Sequence, residues 1–171
     1  VRGALYHSQS VEAFFAHTPG LKVVNPATPY DAKGLLKSAI RDDDPVIFLE
    51  HKRTYRLVRG EVPDEEYTIP LSSADVKLEG EDLSVITYGL MVHHCLEAAQ
   101  TLADEGVSVE VVDLRTLRPL DSETILESVR KTGKALIVHE DSKAGGIGGE
   151  VASIIGEEAF EYLDGPVTRL A

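Results

Sequence analysis

The sequence predicts an α/β protein with a mainly parallel sheet, divided into two unequal parts, and three observations carry that expectation. Strand-like and helix-like patterns alternate in two separate blocks. The strand-like runs are short and apolar, as expected of strands covered on both faces. At 171 residues the chain has room for one large domain or two small ones. Strand and helix in turn imply right-handed crossovers and parallel pairing.

The first block runs from Val11 to Glu50. Ser10 is placed to cap a short helix through Phe14 and Phe15, and Leu21-Lys22-Val23-Val24 reads as a brief strand after the Pro19-Gly20 break. The next helix carries several signals. Thr28 is an N-cap candidate, Pro29 suits a first helical position that needs no N–H, and Asp31 complements the positive helix end. Ala32, Leu35, Leu36, Ala39 and Ile40 repeat at helical spacing, so that face is expected to be buried. Asp42-Asp43-Asp44-Pro45 ends the helix, and Val46-Ile47-Phe48-Leu49 follows as a short apolar strand.

From His51 to Gly80 the periodicity fades into a charged stretch punctuated by Pro63 and Pro70, a linker with room for one edge strand. The second block then predicts a strand from Leu83 to Thr87, a helix from about Leu90 to Asp104 and a strand from Val107 to Val112. A helix from about Ser122 to Lys131, a strand from Ala135 to Val138 and a helix from about Gly149 to Phe160 complete it. Pro166 to Leu170 resembles one more strand.

Hydrophobic residues make up 43% of the chain and charged residues 27%, which supports an ordinary core and excludes global disorder. Lys plus Arg is 17 and Asp plus Glu 29, a formal charge of −12 whose field repels phosphate backbones and anionic lipids. Nucleic acid and membrane are therefore not expected partners. The single cysteine, Cys95, supplies neither an intrachain disulfide nor a multi-thiolate zinc site. A reducing compartment fits: the cytoplasm of a bacterium, or the mitochondrial matrix of a eukaryote. The opening Val1-Arg2-Gly3-Ala4 has no initiator Met or signal-peptide pattern, so the chain reads as an internal piece of a longer polypeptide.

Among residues that could do chemistry, His93, His94 and Cys95 share a helix with Met91, Ala98 and Leu102, a spacing that favours packing or surface roles. His139-Glu140 resembles the start of a zinc-peptidase motif, but Lys143 stands where the second His is needed. Gly145 to Gly149 opens a helix after a strand, yet Val151 occupies the third glycine position of a dinucleotide fingerprint, which leaves a flexible turn. No Gly-x-Ser-x-Gly elbow is present. The triplet Asp42 to Asp44 is either a solvated helix exit or, with the unpaired carbonyls of the last turn, an oxygen-lined site for a hard cation. His7 lies among small and polar residues before a helix cap, where a loop can present an imidazole to a cleft.

GALYHSQS, running on through VEAFFAHTPGLKVV and TPYDAKGLLKSAIRDDDPVIFLEHK, resembles the beta subunits of the thiamine-diphosphate-dependent 2-oxoacid dehydrogenases. ITYGLMVHHCLEAA, VEVVDLRTLRPLD and VHEDSKAGGIGGEVA extend the likeness over nearly the whole chain. Ala4-Leu5-Tyr6 and Phe48-Leu49-Glu50-His51-Lys52 bring it nearer the branched-chain type than the pyruvate type. The resemblance implies the later part of a pyrimidine-binding domain over residues 1–55, a linker over 56–80, and most of a transketolase C-terminal domain over 81–171. It implies oxidative decarboxylation of branched-chain 2-oxo acids, with the acyl group and two electrons passed to a lipoyl arm. By residue matching, His7 is the active-site histidine facing the coenzyme, and Ala39, Ile40, Asp42 and Asp44 offer backbone carbonyls to a structural potassium ion. The same resemblance implies an alpha subunit in a two-plus-two heterotetramer, a second beta subunit and a lipoyl acyltransferase component. Magnesium and the diphosphate fall to the alpha subunit, and the main thiamine-binding segment lies outside this sequence, so the piece alone is expected to be inactive. The alternatives are a pyruvate dehydrogenase beta subunit, a non-catalytic interface module, or another thiamine enzyme of the transketolase group.

Overall fold

Two sheets organise residues 8–171, which the computed structural model describes. The chain runs through α1 (Glu12–Ala16), β1 (Lys22–Val24), α2 (Pro29–Arg41), β2 (Val46–Phe48) and the short α3 (Thr54–Leu57). It continues with β3 (Asp75–Leu78), β4 (Leu83–Thr87), α4 (Leu90–Asp104), β5 (Val109–Asp113), β6 (Thr116–Arg118) and α5 (Ser122–Thr132). β7 (Ala135–Val138), α6 (Ile147–Glu158), a 3₁₀ turn (Phe160–Tyr162) and β8 (Thr168–Leu170) follow.

The larger sheet has the order β3-β5-β4-β7-β8, with the last four strands parallel and β3 antiparallel at one edge. Side chains alternate across it. Val85, Val111 and Val138 pack under α4 with Cys95 and Ala99, whereas Ile86, Val112 and Ile137 pack with Ile125, Val129, Val151 and Ile155 of α5 and α6. Both faces are thus covered, and the strands are apolar throughout for that reason. Two strands depart from the parallel expectation. β3 is the edge strand that the linker had room for. β6 was not expected at all, because three residues directly after β5 carry no readable period.

The smaller sheet has the order β2-β1-β6. β1 pairs parallel with β2 through Val23 and Ile47, and antiparallel with β6 through Val23 and Arg118. The two blocks of the sequence are therefore joined by strand pairing, and Val23 and Leu117 enter the same core as the larger sheet.

Two local expectations are corrected. Val11, not Ser10, holds the N-cap position of α1, and no side chain caps it; the first turn closes on the Val11 carbonyl, which accepts from the Phe14 N–H at 3.2 Å, leaving Ser10 one residue too early. The face of α2 is only partly buried: Leu35 is enclosed, but Leu36 is 43% and Ile40 76% exposed. A three-stranded sheet is narrow, and the rest of the helix is covered from the linker, where Ile69 and Leu71 pack on Val24 and Leu35. The Ile69 N–H donates to the Gly34 carbonyl at 3.3 Å.

A buried charge cluster ties α2 to the larger sheet. Arg115, with φ of 54°, donates through Nη1 to Asp31 at 3.2 Å, through Nε to the Ser73 carbonyl at 3.0 Å and through Nη2 to the Ala74 carbonyl at 2.7 Å. Lys77 Nζ lies 2.7 Å from Asp31, 2.6 Å from Asp75 and 3.8 Å from Asp113. Burial acts to raise the Asp31 carboxyl, but hydrogen bonds from Lys77 and Thr28, with the charges of Lys77 and Arg115, hold it below its ordinary value.

Candidate active site

The carboxyl ends of β1, β2 and β7 border one cleft, the place where open α/β folds put their ligands. It has a volume of about 450 Å³ and is lined by residues 8–12, Asn25 at the end of β1, residues 49–52 after β2, and Glu140 after β7. A smaller cavity of about 10 Å³ shares Glu12, Asn25, His51 and Glu140 with it and adds Tyr88 and Gly89 from the end of β4.

His51 spans the two sheets. Its Nδ1 accepts the Arg53 N–H at 3.2 Å, so the ring proton resides on Nε2, which faces the Glu140 carboxylate at 2.9 Å. Burial holds the imidazole below its ordinary pKa, so it stays neutral and fixed in one tautomer. Glu12 is enclosed, at 9% exposure, and the Asn25 amide donates to its Oε1 at 3.3 Å. Burial, then the neighbouring Asp141 and Glu140 charges, raises the Glu12 carboxyl. Gly89, with φ of +59°, is demanded by this floor: a Cβ there would stand 2.7 Å from Asn25 Oδ1.

Behind the floor, Tyr88 and His139 stack with centroids 6.1 Å apart and planes 15° from parallel. His139 is buried and burial lowers its pKa; neither ring nitrogen has a hydrogen-bond partner among the described residues. His139 therefore packs, and Gly148 serves it, since a Cβ on Gly148 would overlap His139 Nε2. The glycine run is in part a close-packing device rather than the flexible turn expected.

His7 lies outside the described residues. Ser8 and Gln9, which follow it in sequence, line the cleft. The other histidines behave as their spacing suggested: His93 Nε2 lies 2.8 Å from the Ala27 carbonyl, and half-exposed His94 faces Glu97 at 3.6 Å. Cys95 is buried, and burial pushes its thiol up. Ala39, Ile40, Asp42 and Asp44 come together in the turn that ends α2, and none of them lines the cleft. There Lys22 Nζ reaches both oxygens of Asp42 at 2.7 Å and Asp44 at 3.0 Å. One ammonium thus offsets part of the charge of the acidic turn and engages the Asp42 carboxylate. Among the described residues no group of three or more His, Cys, Asp and Glu could hold a metal ion, and no helix is long and apolar enough to cross a membrane.

Sequence reasoning missed Glu12, Asn25, His51, Tyr88 and Glu140. A signal existed for Glu12, an acid followed by Ala-Phe-Phe-Ala in a short helix. Glu140 was dismissed with the failed zinc motif, although a strand end is where cleft residues gather.

A model of the transketolase C-terminal domain matches residues 72–171, more than half of the chain. The chain belongs to the transketolase C-terminal domain family. A model of the transketolase pyrimidine-binding domain matches residues 1–58, so the cleft of this family member lies between segments matched by the two models. The 2-oxoisovalerate dehydrogenase subunit beta of Bacillus subtilis (strain 168) is 62% identical over 171 residues, covering 100% of this chain and 52% of that protein. The pyruvate dehydrogenase E1 component subunit beta of the same organism is 58% identical over 165 residues, covering 96% and 51%. Among solved structures, a chain described as "Split gene transketolase, inactive beta4 tetramer" superposes with a TM-score of 0.78 at 31% identity, covering 92% of this chain and 50% of that one. The transketolase-family chain thus spans about half the length of the curated relatives it matches.

Proposed function

We propose that this chain is part of the beta subunit of a bacterial, cytoplasmic 2-oxoacid dehydrogenase of the branched-chain type. The observation that carries the reading is 62% identity to a 2-oxoisovalerate dehydrogenase beta subunit along the full chain, against 58% to a pyruvate dehydrogenase beta subunit of the same organism. The latter supports pyruvate as the second reading. On this proposal residues 1–55 belong to the pyrimidine-binding domain, 56–80 link, and 81–171 belong to the C-terminal domain. The partners are an alpha subunit in a two-plus-two heterotetramer, a second beta subunit and a lipoyl acyltransferase.

The cleft's donor set suits the reacting end of thiamine diphosphate rather than its diphosphate. Glu50 and Glu140 are set against one lysine, Lys52, and the buried Glu12 carboxyl adds no positive charge, so a diphosphate would be poorly held here, in keeping with its assignment, with magnesium, to the alpha subunit. Gln9, Ser10 and neutral His51 would border the ring end. When bound, the coenzyme supplies the nucleophilic carbon and electron sink that a 2-oxo acid needs to lose carbon dioxide. This chain's residues orient and protonate. The His51–Glu140 bond holds the two walls in register. His7 hydrogen-bonds the reacting carboxylate or gives a proton to the opening dithiolane of the lipoyl arm, a task suited to an imidazole.

The deciding experiment is decarboxylation by the complete subunit with its alpha partner, comparing 2-oxoisovalerate with pyruvate; a preference for pyruvate would transfer the assignment to the second reading. His7→Ala in that assembly is expected to abolish lipoyl reductive acylation, and an unchanged rate would remove the role. We further assign potassium to the carbonyls of Ala39, Ile40, Asp42 and Asp44. A melting temperature that rises in potassium chloride but not in choline chloride of equal ionic strength is the expected result; equal values would exclude the site.

A further inference from the structure

We propose that Glu12, Asn25 and Tyr88 form a water-binding chamber beneath the cleft, and that the Glu12 carboxyl exchanges a proton with an oxyanion bound above it. This deepens the proposed function and rests on it for the identity of that oxyanion. The chamber itself stands on geometry.

Three polar atoms at this spot are buried and have no hydrogen-bond partner among the described residues: Glu12 Oε2, Asn25 Oδ1 and the Tyr88 hydroxyl. Their residues line the same cavity of about 10 Å³, roughly the room one water molecule needs. Buried polar atoms are rarely left unmatched, and three around one small hollow indicate a shared guest. Their capacities are complementary. Asn25 donates its amide to Glu12 Oε1, which leaves Asn25 Oδ1 as an acceptor; a protonated Glu12 Oε2 is a donor, and the Tyr88 hydroxyl does either. One water accepts from Glu12, gives a hydrogen to Asn25 Oδ1 and bonds Tyr88, which is the number of partners an interior water ordinarily finds.

The surroundings set the charge state of Glu12. It is faced by Glu140 and Asp141 after β7, by Glu50, neutral His51 and, across the cleft, Lys52 after β2, and by Tyr88 of the larger sheet with His139 stacked behind it. No ammonium or guanidinium bonds to it among the described residues, so neighbouring carboxylates and burial favour the neutral acid. Glu12 also borders the main cleft. In the transfer the O–H bond at Oε2 breaks as its proton passes to the chamber water, and that water gives up one of its own protons to form the O–H bond on the ligand's oxygen. The negative charge moves from ligand to Glu12, where the Asn25 amide, the chamber water and the Tyr88 hydroxyl solvate it. The carboxylate regains its proton from bulk water through the cleft.

The test uses the complete subunit with its alpha partner. Infrared difference spectra of the wild-type assembly carrying isotope-labelled glutamate should show a protonated carboxyl stretch at neutral pH, shifted in Tyr88→Phe and lost in Glu12→Gln. Turnover of Glu12→Gln should fall about 100-fold, with the limb of the pH–rate profile belonging to Glu12 removed. A wild-type spectrum without a protonated glutamate band at neutral pH, or a Glu12→Gln variant with the wild-type rate and pH profile, would overturn the proposal. Should the wild type decarboxylate no 2-oxo acid, the functional assignment fails on that arm alone, and the infrared arm still decides the state of Glu12.

Discussion

Asp31 and Asp113 face the same ammonium, that of Lys77, at 2.7 and 3.8 Å, and their carboxyls are displaced in opposite directions. Asp31 gains direct hydrogen bonds and is held low. Asp113 is fully enclosed, and burial raises it from 3.8 to about 7 despite the lysine. The folded protein therefore keeps a proton on Asp113 that the unfolded chain has already released, so this group's contribution to stability falls as pH rises from about 4 to about 7. Asp31 works in the other sense, with stability present above its unfolded pKa and lost as pH falls through its lower folded value. We expect Asp113→Asn to remove the decline between those two values, measured as urea midpoints across the pH series. The sequence marked Asp31 as an acid at a helix start, which it is. That it also receives Arg115 could not be read locally, because 84 residues separate them. His51 was obscure for a similar reason, since its partner Glu140 lies on the other sheet.

Among the elements, α2 and α5 show how much a local pattern settles. Thr28 caps α2 with its hydroxyl accepting from the Asp31 N–H at 3.1 Å, as the sequence led one to expect. Thr28→Ala should cost about 1 kcal/mol, measured by urea denaturation, because that N–H loses its acceptor. α5 is framed by Asp121, which accepts from the Thr124 N–H at 3.2 Å, and by Gly133 in the left-handed region. β4, α4 and β7 fall where the alternation put them, since each is long or apolar enough to show its period. β6 is too short for that, and its position is decided by pairing with β1 and by burial of Leu117 in the shared core. α6 begins at Ile147 rather than Gly149, which places Gly148 in its first turn against His139. Gly148→Ala should lower stability by about 1–3 kcal/mol through overpacking, with the near-ultraviolet signal of the Tyr88–His139 stack altered in the same variant.

At the scale of the molecule, the two blocks of sequence are held against each other by the shared core, the His93–Ala27 bond, the β1–β6 pairing, the Arg115 cluster and the His51–Glu140 bond across the cleft. The last of these joins the walls of the candidate active site directly. Arg115→Met would leave Asp31 dependent on Lys77 and Thr28. We expect faster amide exchange over residues 22–48 in that variant, with protection of 83–138 retained, measured by hydrogen–deuterium exchange. Equal change in both regions would mean the blocks open as one unit.

The pairing of Val23 with Arg118 also bears on how the protein is made. A ribosome delivers the central strand of the small sheet long before it delivers one of the neighbours flanking that strand. During translation β1 can take its register from β2 early, yet its other flank waits bare until β4 and β5 have emerged and β6 follows them. A nascent chain stalled short of Arg118 would present that raw strand edge to chaperones.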